Sequence, residues 1–293
     1  MELVATFGND DDGGPVAWGR RRDGEGWTGV ALADHINAGG QGWWHPFVTL
    51  GAVAAVTQRV RLTHAFANNL MRSPVEYAQA ALSLHAISGG RFEVGIGAGW
   101  VEAEMRGAGL VFPSPKERAE RLREAVVIIR DLLRGGCRHH GAHYDVSLKT
   151  AGPATGDPPL LAASLGGPWT IRNIAPLLDR VEINPLGSAT RGGELDWAGL
   201  GAVTSDDVKA LIDLARSANP DAEIGLSVFV AVGDGRSVKS MANAFGDGCF
   251  SGLAGTPAHV SDAVLDLERF GIDRVTLVPT TPNCSDLLAP HLF

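Results

Sequence analysis

The chain has only three cysteines in 293 residues, Cys137, Cys249 and Cys284, and none belongs to a CxxC pair. Thiols this sparse exclude a disulfide framework and read as reduced side chains. No hydrophobic run approaches the ~20 residues needed to cross a bilayer. The N-terminal stretch "MELVATFGNDDDGG" lacks the basic and apolar regions of a signal peptide, so the expected location is the cytoplasm, away from membranes. Basic residues are few, 25 against 33 acidic ones for a net charge of −8, and no basic stripe extends beyond Arg20-Arg21-Arg22. That balance excludes nucleic acid as the expected partner. Also missing are a GxSxG elbow, an HExxH helix and a Walker loop.

What is present is regular alternation. Strand-like runs at 3–8, 30–34, 60–66, 91–96, 159–164, 179–184, 223–232 and 274–279 are separated by helical stretches. Ser73-Pro74 with Glu76, and Ser114-Pro115 with Glu117, read as helix starts with a capping box. After the second, Ala119, Leu122, Val126, Ile129 and Leu133 keep a 3–4 residue spacing that makes one helix face apolar. Helices are also expected at 46–58, 168–177, 205–217, 236–245 and 257–270. Near-continuous apolar strands alternating with amphipathic helices imply a parallel sheet covered by helices. Eight such units suit an α/β (β/α)8 TIM barrel, with a doubly wound open sheet as the alternative. No linker or repeat divides the chain, so residues 1–293 read as a single domain. Segments 135–158 and 185–204 show no period and read as long loops at the C-terminal face.

In such a barrel the active face lies at the strand C-termini. The residues found there are Asp34-His35, Ala65-Phe66-Ala67-Asn68-Asn69, Gly97-Ala98-Gly99-Trp100, Ser164-Leu165-Gly166-Gly167 and Asn184. Two of these groups are glycine-rich. Backbone N–H groups with no side chain in the way cradle anions such as phosphate, although Gly97 and Gly99 also suit a plain tight turn. In "SGGRFEVGIGAGW" (88–100) glycines alternate with larger residues from Gly95 onward, which marks a bend or a place where something approaches the backbone closely. Asp34-His35 is the acid/base candidate, since histidine titrates near neutrality and a carboxylate can orient it; a structural histidine is the competing reading. Trp43, Trp44 and Trp100 would gather at the same face, to stack on a ring or to pack. His139, His140 and His143 in "HHGAH" lack a partner carboxylate motif, so no metal site is expected.

As a set, "GWTGVALADH", "RVRL…RSP", "LHAISGGRFEVGIGAGW", "ERAERLREAVVIIRDLL" and "GTPAHV" resemble the bacterial luciferase-like monooxygenase superfamily. The nearest likeness is to the deazaflavin (coenzyme F420)-dependent oxidoreductases of actinobacteria. The resemblance is specific over residues 26–134 and looser beyond. It implies a barrel holding a flavin-type cofactor at the strand C-termini. Gly97, Ala98, Gly99 and Trp100 would lie in one phosphate-facing loop, and Ser164, Leu165, Gly166 and Gly167 in another. Ala65 and Phe66 would back the ring, with a non-prolyl cis peptide between them. Asp34 and His35 would lie beside the reactive carbon, His35 moving a proton and Asp34 or the backbone orienting it. The approaching group at the glycines would then be the cofactor's phosphate-bearing tail. Relatives that carry a carboxylate acid after the fourth-strand glycines have it where this chain has Trp100.

The expectation is an oxidoreductase that moves hydride between coenzyme F420 and a small-molecule substrate, with a homodimer as a compatible assembly. The rivals are an FMN-dependent monooxygenase and a non-catalytic, ligand-binding barrel of the same fold.

Overall fold

A computed structural model describes residues 1–38, 40–187 and 189–293. Gly39 and Ser188 lie outside the described residues.

Eight parallel strands form the barrel wall: β1 Glu2–Thr6, β2 Gly29–Leu32, β3 Arg61–His64, β4 Val94–Gly97, β5 Leu161–Leu165, β6 Arg180–Ile183, β7 Glu223–Val232 and β8 Arg274–Pro279. They run in the order β3-β2-β1-β8-β7-β6-β5-β4, every adjacent pair parallel. The open alternative is corrected by the closure between β3 and β4. There Leu62 bridges Phe92, and the short strand Ala67–Asn68 pairs with Ile96 and Gly97.

Side-chain alternation explains the two faces of the wall. Leu3, Ala5, Val30, Leu32, Val275 and Leu277 belong to the apolar cluster shared with the surrounding helices. Their neighbours on the other face are small or polar, as in Thr6, Ala31, Thr63, Gly95, Ser164 and Thr276. Charge gathers at the strand N-termini. Glu93 there accepts hydrogen bonds from Arg61 (2.9 Å), Arg180 (3.0 Å) and Arg274 (3.2 Å for the longer of two). Glu182 takes Arg180 Nε at 2.6 Å, and Glu2 pairs with Arg274.

The helices are α1 Gly14–Gly24, α2 Pro46–Ala54, α3 Pro74–Ile87, α4 Glu102–Gly107, α5 Pro115–Leu133, α6 Pro168–Ile174, α7 Trp197–Gly201, α8 Ser205–Ala218, α9 Arg236–Phe245, α10 Pro257–Asp266 and α11 Cys284–Leu292. Among the described residues none is long and apolar enough to cross a membrane. Ser73 and Ser114 cap α3 and α5 as expected, accepting the N–H of Glu76 and Glu117. The reciprocal half of the box is replaced: Glu76 faces Arg72 and Glu117 faces Arg121. Segment 135–158 is corrected from an irregular loop. It contains an antiparallel hairpin, Cys137–His140 with Asp145–Leu148. The hairpin is docked on α5 by Glu124, whose carboxylate accepts the N–H groups of Ala142, His143 and Tyr144 at 2.9–3.1 Å.

Candidate functional site

Asp34 and His35 follow β2 just beyond its C-terminal end, after Ala33, and their side chains find different partners. Asp34 is buried, with Arg72 bidentate on its carboxylate and the Asn68 N–H donating to Oδ2 at 2.8 Å. Burial by itself would raise this carboxyl; the Arg72 guanidinium and the Asn68 N–H outweigh it and hold Asp34 below the usual carboxylate range. Asp34 thus ties β2 to the segment that follows β3. Arg72 lies over the Phe47 ring, 5.6 Å from its centroid.

His35 takes its orientation from a residue 69 positions away, in place of Asp34. Its Nδ1 lies 3.1 Å from Glu104 Oε2 on α4. Glu104 Oε1 accepts the N–H groups of Ile36 (2.5 Å) and Asn37 (3.0 Å). The Glu104 side chain is 1% exposed and that of His35 15%, so the carboxylate is sealed while the imidazole reaches the surface. Trp43 and Trp100 meet the imidazole edge-on at 5.1 and 5.9 Å between centroids. Trp43 is in turn fixed by an Nε1 hydrogen bond to the Ala38 carbonyl at 3.1 Å.

The glycines of β4 are approached first by the chain itself. A Cβ on Gly95 would lie 2.2 Å from the His64 carbonyl, and one on Gly99 2.2 Å from Asn68 Oδ1. Gly99 also has φ +78, a conformation that favours glycine. Gly97 differs. Its nearest neighbour is Phe66 Cβ at 3.4 Å, an ordinary contact. The Ala65–Phe66 peptide beside it is cis, as the resemblance implied. Ala98 is partly buried against the core.

The second glycine turn follows β5, the strand next to β4. Gly166 packs backbone against backbone: its Cβ would meet the Asn184 carbonyl at 2.4 Å and Gly187 Cα at 2.8 Å. Leu165 is in the core and its carbonyl accepts the Asn184 N–H at 2.9 Å. Gly167 begins α6, and its N–H donates to Thr170 Oγ1 at 3.2 Å. Ser164 is half-buried. Gly97 and Gly167 are therefore the two glycines of these turns that their surroundings do not already require.

The structure brings together Asp34, His35, Ala65, Phe66, Gly97, Ala98, Gly99 and Trp100 on the ends of β2 to β4. The Ser164–Gly167 turn stands on the next strand. Sequence reasoning missed Arg72 and Glu104. Arg72 carried one signal, a cation immediately before the Ser73 cap of α3. Glu104 carried a weaker one, a glutamate in the first turn of a helix that starts at the fourth-strand glycines. The histidines of 139–143 go to separate carboxylates, His139 to Glu124, His140 to Asp145 and His143 to Glu120. Among the described residues no cluster of three His, Cys, Asp or Glu side chains is placed to hold a metal.

The profile of the luciferase-like monooxygenase family matches residues 15–239, and the chain belongs to that family. An uncharacterised Mycobacterium tuberculosis protein is 35% identical over 109 residues, 37% of this chain and 36% of that protein. An F420-dependent glucose-6-phosphate dehydrogenase of Beutenbergia cavernae is 31% identical over 215 residues, 67% of this chain and 61% of the enzyme. The chain thus spans between about a third and three fifths of these two relatives. The crystal structure of the monooxygenase RslO1 from Streptomyces bottropensis superposes with a TM-score of 0.77 at 20% identity, covering 100% of this chain and 98% of that one. It is similar in fold.

Proposed function

We propose that this luciferase-like barrel is an oxidoreductase that uses coenzyme F420 to move hydride to or from a small organic molecule. The observation that carries the reading is the His35 imidazole, held at Nδ1 by sealed Glu104, 15% exposed and met edge-on by Trp43 and Trp100. The relation to F420-dependent glucose-6-phosphate dehydrogenase supports the choice of cofactor.

The residues present fit such a group. Gly97 leaves its backbone bare, with room where a side chain would stand. Together with Gly99 and the Ser164–Gly167 turn it would hold the phosphate through backbone N–H groups. The Ala65–Phe66 segment and Trp100 would flank the ring. When bound, the deazaflavin supplies a carbon centre that gives or takes hydride. The protein's part is the proton. A carboxylate only accepts, so Nδ1, 3.1 Å from Glu104 Oε2, would carry the hydrogen and Nε2 would keep a lone pair. Nε2 can take a proton from a substrate hydroxyl as hydride leaves, or return one as hydride arrives. Asp34, bound on both oxygens, anchors the loop that carries His35.

The second reading is an FMN-dependent monooxygenase; RslO1, similar in fold, is a monooxygenase. Titrating the protein with oxidised F420 and with FMN, following quenching of tryptophan fluorescence, decides between them. Saturable binding of F420 and bleaching of its visible band with a substrate panel is the expected result. Tight binding of FMN with none of F420 would replace the first reading by the second. Saturable binding without any redox change would make the protein a non-catalytic barrel.

A further inference from the structure

We infer that Glu104 is a positioning residue that selects the tautomer of His35 and so decides which ring nitrogen exchanges a proton with substrate; this rests on the proposed oxidoreductase reading. Glu104 cannot itself touch a substrate, being 1% exposed with its carboxylate turned inward. Two contacts on that carboxylate are fixed donors, the backbone N–H groups of Ile36 and Asn37 on Oε1, and the third is His35 Nδ1, 3.1 Å from Oε2. A backbone N–H cannot reverse its role. Oε1 is therefore committed as an acceptor, and this fixes the carboxyl plane and keeps Oε2 aimed at the imidazole. With Nδ1 the donor, Nε2 is the nitrogen left with a lone pair, on a ring that is 15% exposed. Edge contacts from Trp43 and Trp100 pack against the ring.

The same bonds dictate what an amide would do. In Glu104→Gln the two backbone N–H groups retain the side-chain oxygen, which turns the NH2 toward Nδ1. Nδ1 must then accept, and the proton moves to Nε2, leaving no lone pair toward the substrate. Glu104→Gln preserves shape and hydrogen-bond count, so the fold is expected to survive.

The test is long-range 1H–15N correlation of histidine-labelled protein at mildly alkaline pH, with the His35 signals identified by their loss in His35→Asn. It uses the chain without cofactor or substrate, so a wrong cofactor does not affect it. Wild type is expected to show the Nδ1–H form and Glu104→Gln the Nε2–H form. Turnover of Glu104→Gln should fall at least ~100-fold, the scale of a lost general base, with KM and F420 affinity within about threefold. An Nε2–H wild type overturns the inference even should the variant fail to fold. So does a variant that keeps the wild-type tautomer, or one that switches tautomer without loss of turnover. Failure of F420 to bind, with the tautomer switch intact, would sink the cofactor reading alone.

Discussion

Gly95 of β4 lies against the carbonyl oxygen of His64 so closely that a Cβ would stand 2.2 Å from it, with Thr63 Oγ1 at 3.1 Å and Phe66 at 3.2 Å. The obstacle is backbone, which cannot rotate away. Gly95→Ala should therefore cost about 1–3 kcal/mol as overpacking, read as a lower urea midpoint at an unchanged slope. Wild-type stability in Gly95→Ala would mean that the β3 end yields freely.

Gly97, two residues on, should behave in the opposite way. Its side-chain space ends at Phe66 Cβ, 3.4 Å away, so a substitution there meets the ligand before the fold. Gly97→Val is expected to keep the circular dichroism of the parent and to bind F420 at least ~10-fold more weakly, about 1.4 kcal/mol. Gly99→Val should lose stability as well, because Asn68 Oδ1 and φ +78 both oppose it. An unchanged F420 affinity in folded Gly97→Val removes this turn from the site.

His35→Asn separates chemistry from binding. Asparagine keeps a hydrogen-bonding group facing Glu104 but has no second nitrogen to take a proton. Turnover should fall ~100-fold or more, while F420 affinity stays within about tenfold. Stopped-flow reduction and fluorescence titration measure the two quantities on the same preparation. Turnover that survives makes His35 structural.

Acid stability should depend on Glu93 at the opposite mouth. Burial alone would raise its carboxyl, but Arg180, Arg274 and Arg61 outweigh burial and bring it down from the ordinary 4.5 to about 2. A carboxyl lowered on folding gives its full stabilisation above the unfolded-state value. That stabilisation is lost progressively as pH falls from about 4.5 through about 2. Linkage puts the effect at roughly 3 kcal/mol. Glu93→Gln should be less stable at pH 7 by a comparable amount, and its stability should fall less steeply over that acid window. Parallel pH–stability curves for the two proteins would contradict this.

The barrel was legible because its signals are local. β7 and β8 and the helix Arg236–Phe245 keep the limits read from sequence, since alternating apolar strands and amphipathic helices state their own period. The hairpin of 137–148 was not, because its first strand "CRHH" alternates in burial but not in residue type, Cys137 alone being apolar. Its fastening is tertiary, through Glu124. Helix α1 was obscured for a related reason: its N-cap is Gly13, with φ 80 and no side chain to cap it. In the site, Asp34 and His35 could be read from their place after a strand. Their partners could not, because Arg72 and Glu104 lie 38 and 69 positions away. The glycines misled in part: Gly95, Gly99 and Gly166 serve close approaches within the chain, and their spacing does not distinguish such a neighbour from a ligand.

The joint between β3 and β4 is made in two separate short pieces, one bridge at Leu62 and one two-residue pair at Ala67–Asn68, where β7 and β8 share six paired positions in one run. Spontaneous breathing of the barrel should begin along this line, with amides of 62–68 and 92–97 exchanging with solvent sooner than those of β7 and β8. The Asn68 N–H held by Asp34 belongs to that joint. Whatever occupies the neighbouring mouth would therefore act as a clasp, and its arrival should be recorded as slowed hydrogen exchange along one vertical seam of the barrel.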